Sequence, residues 1–198
     1  IKPPELHSES SEALFCHMPG IKVVVPSTPY NAKGLLKSAI RDPDTVLFME
    51  PSRLYRSIKA DVPDGDYVVE LGKASILQEG RDLTVVSWGT MLHKAAEAAD
   101  GFDAEIIDLM TLKPFDEEAI LTSVKKTGRL VIVHEAPRIA GFGAEIAALV
   151  AEEAIEYLKA PIQRVAGLEA VVPMARHEDF YKPSPERIKR AFEKVMRY

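Results

Sequence analysis

The first candidate for chemistry is His7, which lies in the stretch LHSESSEALF, just ahead of a predicted helix that begins near Ser10 or Ser11. A histidine titrates near neutral pH, and the neighbouring carboxylate of Glu9 favours the protonated ring. Such a pair can exchange a proton in general acid–base catalysis. The same residues also describe a surface histidine beside a helix cap, which is the more common situation. Taken alone, this stretch leaves both interpretations open.

Two further groups of residues lie where open α/β sheets bind ligands. His134 and Glu135 end a predicted strand, and ligands bind beyond the carboxyl ends of such strands. A structural role, at a subunit contact or in satisfying loop backbone, is nevertheless favoured. Gly141, Phe142 and Gly143 open a predicted helix, whose N-terminus can hold an anion. They lack the third glycine of a dinucleotide fingerprint and the lysine of a phosphate loop, so we expect tight packing instead.

An oxygen-rich turn follows the second predicted helix. Asp42, Pro43 and Asp44 offer carboxylate and carbonyl oxygens together, and hard cations prefer oxygen ligands. Asp and Pro also favour capped turns for their own conformational reasons. These residues alone therefore favour a turn over a metal site. His93 and His177 have no second ligand at a metal-binding spacing.

Composition limits the classes of function. The 198 residues carry a formal net charge of −5, which argues against nucleic acid or an anionic membrane as the main partner. The single cysteine, Cys16, excludes an intrachain disulfide and a cysteine-based zinc site. No apolar run is long enough to span a bilayer, and no signal peptide opens the chain. We expect a soluble, cytoplasmic protein.

Strand and helix patterns alternate along the chain. Short apolar runs rich in β-branched residues predict strands, and caps with helical periodicity predict the helices between them. LGKASILQEG and DLTVVSWG flank a turn that contains Gly80, which predicts a hairpin or strand pair. Such alternation indicates an α/β fold with parallel strands covered on both faces. The other strands are predicted at 21–26, 45–50, 103–110, 129–135 and 161–167, and the helices at 28–42, 90–100, 116–128, 142–158 and 184–198.

The predicted elements divide unevenly into domains. Residues 71–198 would form one complete α/β domain. Residues 1–50 hold only two strands and two helices, too few for an independent core, and are expected to be the tail of a domain. The proline- and charge-rich residues 51–70 are predicted to form a linker.

Several segments occur in an order that is specific to one family. The run PSTPYNAKGLLKSAIRD, joined to EPSRLYR, is the most specific of them. With these segments the chain resembles the C-terminal part of the β subunit of the thiamine-diphosphate-dependent decarboxylase of 2-oxoacid dehydrogenase complexes. Pyruvate and branched-chain 2-oxoacid dehydrogenases are its main members, and the resemblance covers nearly the whole chain. The other segments are HSESSEALFCHMPGIKVVV (7–25), VSWGT (86–90), EIIDLMTLKPFD (105–116), KTGRLVIVHEAP (126–137) and GFGAEIAALVAEE (141–153).

The resemblance implies a two-domain fold and a bound cofactor. Residues 1–50 would be the C-terminal half of a thiamine-pyrimidine-binding domain. Residues 71–198 would be a transketolase C-terminal-like domain with a mostly parallel sheet. Thiamine diphosphate and its magnesium would be held mostly by the partner subunit and by an N-terminal part that this chain lacks. No cofactor-binding residue is therefore assigned here.

The resemblance also assigns a catalytic residue. His7 matches the active-site histidine of the family stretch His-Ser-Gln-Ser-Pro-Glu-Ala. In the family this ring exchanges a proton with the 2-oxoacid or its cofactor adduct. Glu9 replaces the usual glutamine and Ser11 replaces the proline, so the surroundings of His7 differ from the family pattern. An ionised carboxylate accepts a hydrogen bond but cannot donate one.

A structural potassium ion is the second site that the resemblance implies. Ala39, Asp42 and Asp44 match positions around that ion, which is held partly by backbone carbonyls and stiffens a turn near a subunit contact.

The implied function is oxidative decarboxylation of pyruvate or a branched-chain 2-oxoacid, with acyl transfer to lipoyl groups. It would require an α subunit in a heterotetramer of two α and two β subunits, docked on a dihydrolipoyl acyltransferase core. The isolated chain is expected to be inactive. Two alternatives stay open: another thiamine-dependent enzyme, such as transketolase or deoxyxylulose phosphate synthase, or a non-catalytic assembly module.

Overall fold

The computed structural model describes residues 9–173 and 177–198. These residues form two β-sheets, one of five strands and one of three. The strands are β1 (Ile21–Val24), β2 (Thr45–Phe48), β3 (Ser75–Gln78), β4 (Leu83–Ser87), β5 (Ala104–Asp108), β6 (Thr111–Lys113), β7 (Leu130–Pro137) and β8 (Gln163–Gly167). The helices are α1 (Glu12–His17), α2 (Pro29–Arg41), α3 (Leu54–Ser57), α4 (Thr90–Ala98), α5 (Glu117–Thr127), α6 (Gly143–Glu153), α7 (Glu178–Tyr181) and α8 (Pro185–Val195). None of the helices in the described ranges is long and apolar enough to cross a membrane.

The larger sheet has the strand order β3-β5-β4-β7-β8. The four strands β5, β4, β7 and β8 are parallel to one another, and the edge strand β3 pairs antiparallel with β5. Alternate residues of β4 enter two separate cores: Val85 packs with α4 and α8, and Val86 packs with α5 and α6. The predicted α/β class, with a mostly parallel sheet covered on both faces, is confirmed.

The predicted pairing around Gly80 is wrong. Strands β3 and β4 are not neighbours, because β5 lies between them and pairs with both. Gly80 is needed for a different reason: a Cβ at this position would lie only 2.2 Å from the Ala104 carbonyl carbon. The glycine therefore lets the connection between β3 and β4 pass directly against the backbone of β5.

Side-chain caps begin three of the predicted helices. The Thr28 hydroxyl accepts a hydrogen bond from Asn31 N at the start of α2, and Asp116 and Ser184 cap α5 and α8 in the same way. Helix α5 ends at Gly128, whose φ of 76° is left-handed. Because these caps satisfy backbone N–H groups within one turn, local sequence is enough to place these helix starts.

Helix α6 ends earlier than its apolar pattern predicts. The pattern continues to residue 158, but the helix stops at Glu153, and Ala154 has an extended φ of −152°. A short 3-10 turn, Ile155–Tyr157, follows. This turn brings the chain back towards the sheet, where Lys159 N donates to Gly128 O over 2.7 Å. The backbone contact with the end of α5 thus takes the place of a last helical turn.

The smaller sheet joins distant parts of the sequence. Its order is β2-β1-β6, with β2 parallel and β6 antiparallel to β1. Strand β6 was not predicted, since three residues are too few to show a strand period. It comes from the C-terminal part of the chain, whereas β1 and β2 come from the first fifty residues. The boundaries at 50 and 70 remain a prediction.

The predicted linker packs on the N-terminal part. It contains the short helix α3, and the Tyr67 ring stacks on Tyr30 with 4.5 Å between ring centroids. Gly34 in α2 lies directly under this segment, because a Cβ there would be 2.5 Å from Val69 Cγ2. The segment therefore lies along one face of α2 rather than extending freely between two domains.

A buried carboxyl at the end of β5 joins the two sheets. Asp108 Oδ1 accepts a hydrogen bond from Ser27 Oγ over 2.7 Å, and Oδ2 accepts one from Asn31 Nδ2 over 3.3 Å. Ser27 Oγ in turn accepts from Gly89 N over 2.8 Å. Burial raises the pKa of Asp108 to about 7, against the opposing effect of hydrogen bonds from Ser27, Met110 N and Asn31.

The glycines at the start of α6 pack against a buried histidine. His134 in β7 is fully buried, and its ring stacks on Trp88 with 5.5 Å between centroids. A Cβ on Gly141 would lie 2.3 Å from Pro137 O, and one on Gly143 would lie 2.8 Å from the His134 ring. This close contact supports the packing interpretation of Gly141–Gly143 over an anion site.

Asp108→Asn should change how stability depends on pH. The folded protein holds the Asp108 proton up to about pH 7, whereas an unfolded aspartate releases it near pH 4. This carboxyl therefore stabilises the fold fully below about pH 4, and the contribution is lost as the pH rises through about 7. Between about pH 5 and 7, the free energy of unfolding of the wild type should fall by about 2 kcal/mol relative to the variant.

The measurement is urea unfolding of both proteins at several pH values. Asp100→Asn, at an exposed aspartate, is the matched control and should keep the wild-type pH slope. Equal slopes for wild type and Asp108→Asn would contradict a buried, protonated Asp108.

Gly141→Ala should destabilise the fold by about 1–3 kcal/mol, because the new methyl group would overlap Pro137 O and the His134 ring. Gly65→Ala is the control: a Cβ there meets open space, so its effect should stay within about 1 kcal/mol and tend to stabilise. Thermal and urea unfolding measure both. Similar effects of the two substitutions would show that α6 does not pack tightly on His134.

Candidate functional site

A cleft of about 170 Å³ lies between the N-terminal part of the chain and the larger sheet. Most of its wall follows the carboxyl ends of parallel strands β1, β2, β4 and β7, which is where open α/β sheets bind ligands. Helix α1 and the segment of α7 form the remaining walls. The lining residues are Glu9, Ser10, Glu12, Val25, Met49, Glu50, Pro51, Ser52, Arg53, Trp88, Gly89, Thr90, Glu135, Glu178 and Lys182.

An ion network closes one side of the cleft. Arg53 Nη2 lies 2.9 Å from Glu178 Oε1 and 2.9 Å from Asp179 Oδ1. Lys182 Nζ lies 2.7 Å from Glu178 Oε1 and 2.8 Å from Glu135 Oε1. The network therefore ties the loop after β2 to α7 and to the end of β7, three elements that are distant in sequence.

Glu178 is the centre of this network. It is only 3% exposed, and a buried carboxylate needs compensating charge. Burial would raise the pKa of Glu178, but hydrogen bonds from Lys182 and Arg53 outweigh it and hold the pKa below its usual value. Glu178 is therefore ionised at neutral pH.

Three buried polar atoms of the cleft residues have no hydrogen-bond partner: Glu12 Oε1, Glu178 Oε2 and Arg53 Nε. Burial raises the pKa of Glu12, and the negative charge of Glu135 adds to the increase. Neither Arg53 nor Lys182 pairs with Glu12. Since buried polar groups are nearly always hydrogen-bonded in folded proteins, these atoms mark the cleft as a candidate binding site.

The predicted catalytic residue His7 lies outside the described residues. Its sequence neighbours Glu9 and Ser10 do line the cleft. The catalytic assignment of His7 stays a prediction.

The predicted potassium positions form an ion-paired turn at the end of α2. Lys22 Nζ lies 2.8 Å from both carboxylate oxygens of Asp42 and 3.0 Å from Asp44 Oδ2. Asp42 Oδ1 also accepts from Asp44 N over 2.9 Å, as in a capped turn. Hydrogen bonds from Lys22 lower the pKa of Asp42. Ala39 lies in the last turn of α2, and the residue four positions later is Pro43, which has no N–H to donate to the Ala39 carbonyl.

These contacts fit a cation at the backbone oxygen better than at the side chains. The ammonium group of Lys22 already occupies the space that the two carboxylates face, and it would repel a second cation there. No group of three or more metal-ligating His, Cys, Asp or Glu side chains occurs in the described part of the chain. Ala39, Asp42 and Asp44 remain a predicted potassium site.

His134 and Glu135 have separate roles. Glu135 lines the cleft and pairs with Lys182, whereas His134 is fully buried beneath it. Neither ring nitrogen of His134 has a hydrogen-bond partner. Burial and the charge of Arg164 lower the pKa of His134 to about 4, so the ring is neutral at physiological pH.

Sequence reasoning missed Glu12, Arg53, Glu178 and Lys182. Glu178 and Lys182 stand four residues apart, a spacing that predicts an ion pair on a helix. Arg53 lies within EPSRLYR but reaches its partners across a separation of 125 residues, which no local pattern reveals. Glu12 belongs to the first turn of α1, where an acidic residue is usual, so its burial could not be anticipated.

Comparisons with known proteins support the resemblance seen in the sequence. The chain is 49% identical over 197 residues to the mitochondrial 2-oxoisovalerate dehydrogenase subunit beta 2 of Arabidopsis thaliana, covering 97% of the chain and 55% of the relative. It is 45% identical over 200 residues to the pyruvate dehydrogenase E1 component subunit beta of Bacillus subtilis, covering 98% and 62%. The chain thus spans between about half and two thirds of the length of these relatives.

A solved structure has the same fold. It is described as a split gene transketolase in an inactive β4 tetramer, with a TM-score of 0.76 and 29% identity, covering 93% of this chain and 60% of that one. The family model of the transketolase pyrimidine binding domain matches residues 2–58. The model of the transketolase C-terminal domain matches residues 72–188. The chain therefore belongs to the transketolase C-terminal domain family, with a segment of the pyrimidine-binding domain family ahead of it.

Proposed function

We propose that the chain acts as part of the β subunit of a thiamine-diphosphate-dependent 2-oxoacid dehydrogenase. The observation that carries this proposal is the sequence identity of 49% and 45% to two such β subunits over nearly the whole chain. Because the alignment to the first of them covers 97% of the chain, it includes the cleft residues from Glu9 to Lys182.

The proposed reaction is oxidative decarboxylation of pyruvate or a branched-chain 2-oxoacid, with transfer of the acyl group to a lipoyl group. The two relatives are named for different 2-oxoacid substrates, so the choice between them stays open. The proposed partners are an α subunit, in a heterotetramer of two α and two β subunits, and a dihydrolipoyl acyltransferase core. A cytoplasmic location is part of the same proposal.

The cleft residues do not fit the diphosphate end of the cofactor. Five glutamates line the cleft, against one arginine and one lysine. The excess of acidic residues disfavours the binding of a polyanion. Gly141–Gly143, the remaining candidate anion site, packs on His134 instead. This chemistry agrees with a cofactor whose diphosphate and magnesium are held by the α subunit.

His7 is the proposed acid–base residue of this chain. A neutral imidazole can accept a proton and an imidazolium can donate one, which suits proton exchange with a reacting 2-oxoacid. Glu9 stands where the family has glutamine, and its negative charge favours the imidazolium form. A potassium ion at the Ala39 carbonyl is proposed only as a structural ion.

A transketolase activity is the second candidate, because the chain shares its fold with a split gene transketolase. The sequence identity of 29% to that protein is well below the identity to the dehydrogenase β subunits. A non-catalytic assembly role of the isolated chain is the third candidate. Co-expression with an α subunit, followed by activity assays, separates all three.

The test is co-expression of the complete gene that encodes this chain with a tagged α subunit of the dehydrogenase type. We expect the two proteins to co-purify. The complex should reduce an artificial electron acceptor with pyruvate or 3-methyl-2-oxobutanoate, only when thiamine diphosphate and magnesium are added. Without the α subunit we expect no activity. Turnover of sugar phosphates without turnover of 2-oxoacids would favour a transketolase, and co-purification without any turnover would favour an assembly role.

His7→Ala in that complex should lower kcat about 10²- to 10⁴-fold, the usual contribution of a general acid–base group. Glu9→Gln restores the family residue and should leave kcat within about threefold of the wild type, with a changed pH profile because a neighbouring charge is lost. Steady-state kinetics across pH measures both. Unchanged kcat in His7→Ala, with the complex intact by gel filtration, would remove His7 from the mechanism.

A further inference from the structure

Helix α1 contributes side chains to two depressions of the surface, the cleft and a larger groove. Glu12 lines the cleft, whereas Leu14 and His17 line this second space, the α1 groove, which has a volume of about 740 Å³. Its other walls are the end of β6 with the loop that follows, and the start of α6. Trp88 of the cleft also meets Phe142 of the groove edge to face, with 5.9 Å between ring centroids. The groove therefore adjoins the cleft through two shared walls.

Large apolar side chains are exposed in and beside the α1 groove. Leu14, in its wall, is 71% exposed. Met18 and Ile139, each next in sequence to a lining residue, are 49% and 76% exposed. The buried side chains of Leu112 and Phe142 also line the groove. Single exposed apolar residues are normal, but several of them bordering one groove indicate a surface that binds a partner.

Two carboxylates lie among the residues that line the α1 groove. Glu117 and Glu145 are exposed in the first turns of α5 and α6, where the helix dipole also favours an acidic residue. Neither of them forms an ion pair with another residue in the described ranges. Lys113, the lysine of the groove, instead donates to Cys16 O over 2.9 Å and to Met18 O over 2.6 Å. A complementary partner would therefore present apolar side chains together with lysine or arginine.

The proposed function places such a partner next to the cleft. The excess of glutamates among the cleft residues disfavours a diphosphate, so a cofactor that reaches the cleft needs another chain to hold its phosphate end. That chain must lie against the walls of the cleft. The α1 groove is within its reach, because the groove shares α1 and the contact between Trp88 and Phe142 with the cleft.

We propose that the α1 groove is a docking surface for the α subunit, which places there an apolar segment that carries lysine or arginine opposite Glu117 and Glu145. This inference rests on the proposed function, and it adds the surface of this chain through which the α subunit binds. An amphipathic segment in an apolar groove is a common mode of protein recognition. Docked in this way, the α subunit would hold α1, and with it Glu12, in place at the cleft.

The first test changes the apolar wall. The complete gene product is co-expressed with a tagged α subunit of the dehydrogenase type, and the dissociation constant of the purified complex is measured by sedimentation velocity. Leu14→Asp buries a charge in the proposed contact and should raise the dissociation constant at least about tenfold. Ile155→Asp is the control, since Ile155 is also an apolar residue, 61% exposed, that lies outside the groove. It should keep the wild-type value.

The second test changes the charges. The double variant Glu117→Lys with Glu145→Lys should raise the dissociation constant about tenfold at low ionic strength. The effect should shrink at high salt, because salt screens exposed charges. Glu118→Lys with Glu152→Lys is the matched control: it makes the same change on the same two helices, at exposed residues that do not line the groove. Its dissociation constant should stay within about twofold of the wild type.

The outcomes separate this inference from the proposed function. A wild-type complex that neither Leu14→Asp nor the groove charge variant weakens would overturn the docking surface and leave the proposed function in place. Failure of the wild type to bind the α subunit would overturn the proposed function, and this inference with it. If the chain alone self-associates, and Leu14→Asp abolishes only that association, the groove binds a second copy and the proposal is wrong. Circular dichroism checks folding, and if Leu14→Asp does not fold, the charge variants decide.

Discussion

The hydrogen bonds of Asp108 join the larger sheet to the segment that follows β1, and the cleft lies between the parts of the chain that they join. Ser27, at the end of the smaller sheet, bonds both Asp108 in β5 and the backbone N–H of Gly89 at the start of α4. Gly89 in turn lines the cleft. A buried carboxyl that needs several donors can be satisfied in few geometries, and this makes the junction specific. The cost is the high pKa of Asp108, about 7, which results from its burial.

The antiparallel pairing of β6 with β1 supports the same junction through the backbone. It places the C-terminal part of the chain in the sheet of the N-terminal part, so the two domain segments share a sheet as well as a polar contact. The carboxyl ends of β1, β2, β4 and β7 consequently face one space. A rigid seam of this kind is what a binding site between two segments requires, because small shifts between them would separate its walls.

The ion network of Arg53, Glu178 and Lys182 gives the cleft its chemical character. Buried ion pairs of this kind contribute little net stability, since the desolvation of each charge offsets the attraction. These pairs fix the position of Glu178 Oε1, whereas Glu178 Oε2 is buried without a hydrogen-bond partner. The excess of glutamates among the cleft residues disfavours a polyanion.

Local features of the sequence determined the elements and the family, and tertiary structure decided the site. Helix caps at Thr28, Asp116 and Ser184 act within one turn, and continuous apolar strands mark a sheet covered on both faces, so both were readable from the sequence. Strand order was not, because Gly80 looks like a hairpin turn until β5 lies against it. The cleft residues Glu12, Arg53 and Glu178 carry no common motif. They meet only because parallel strands bring distant segments to one edge of the fold, where one buried polar atom of each residue is left without a hydrogen-bond partner.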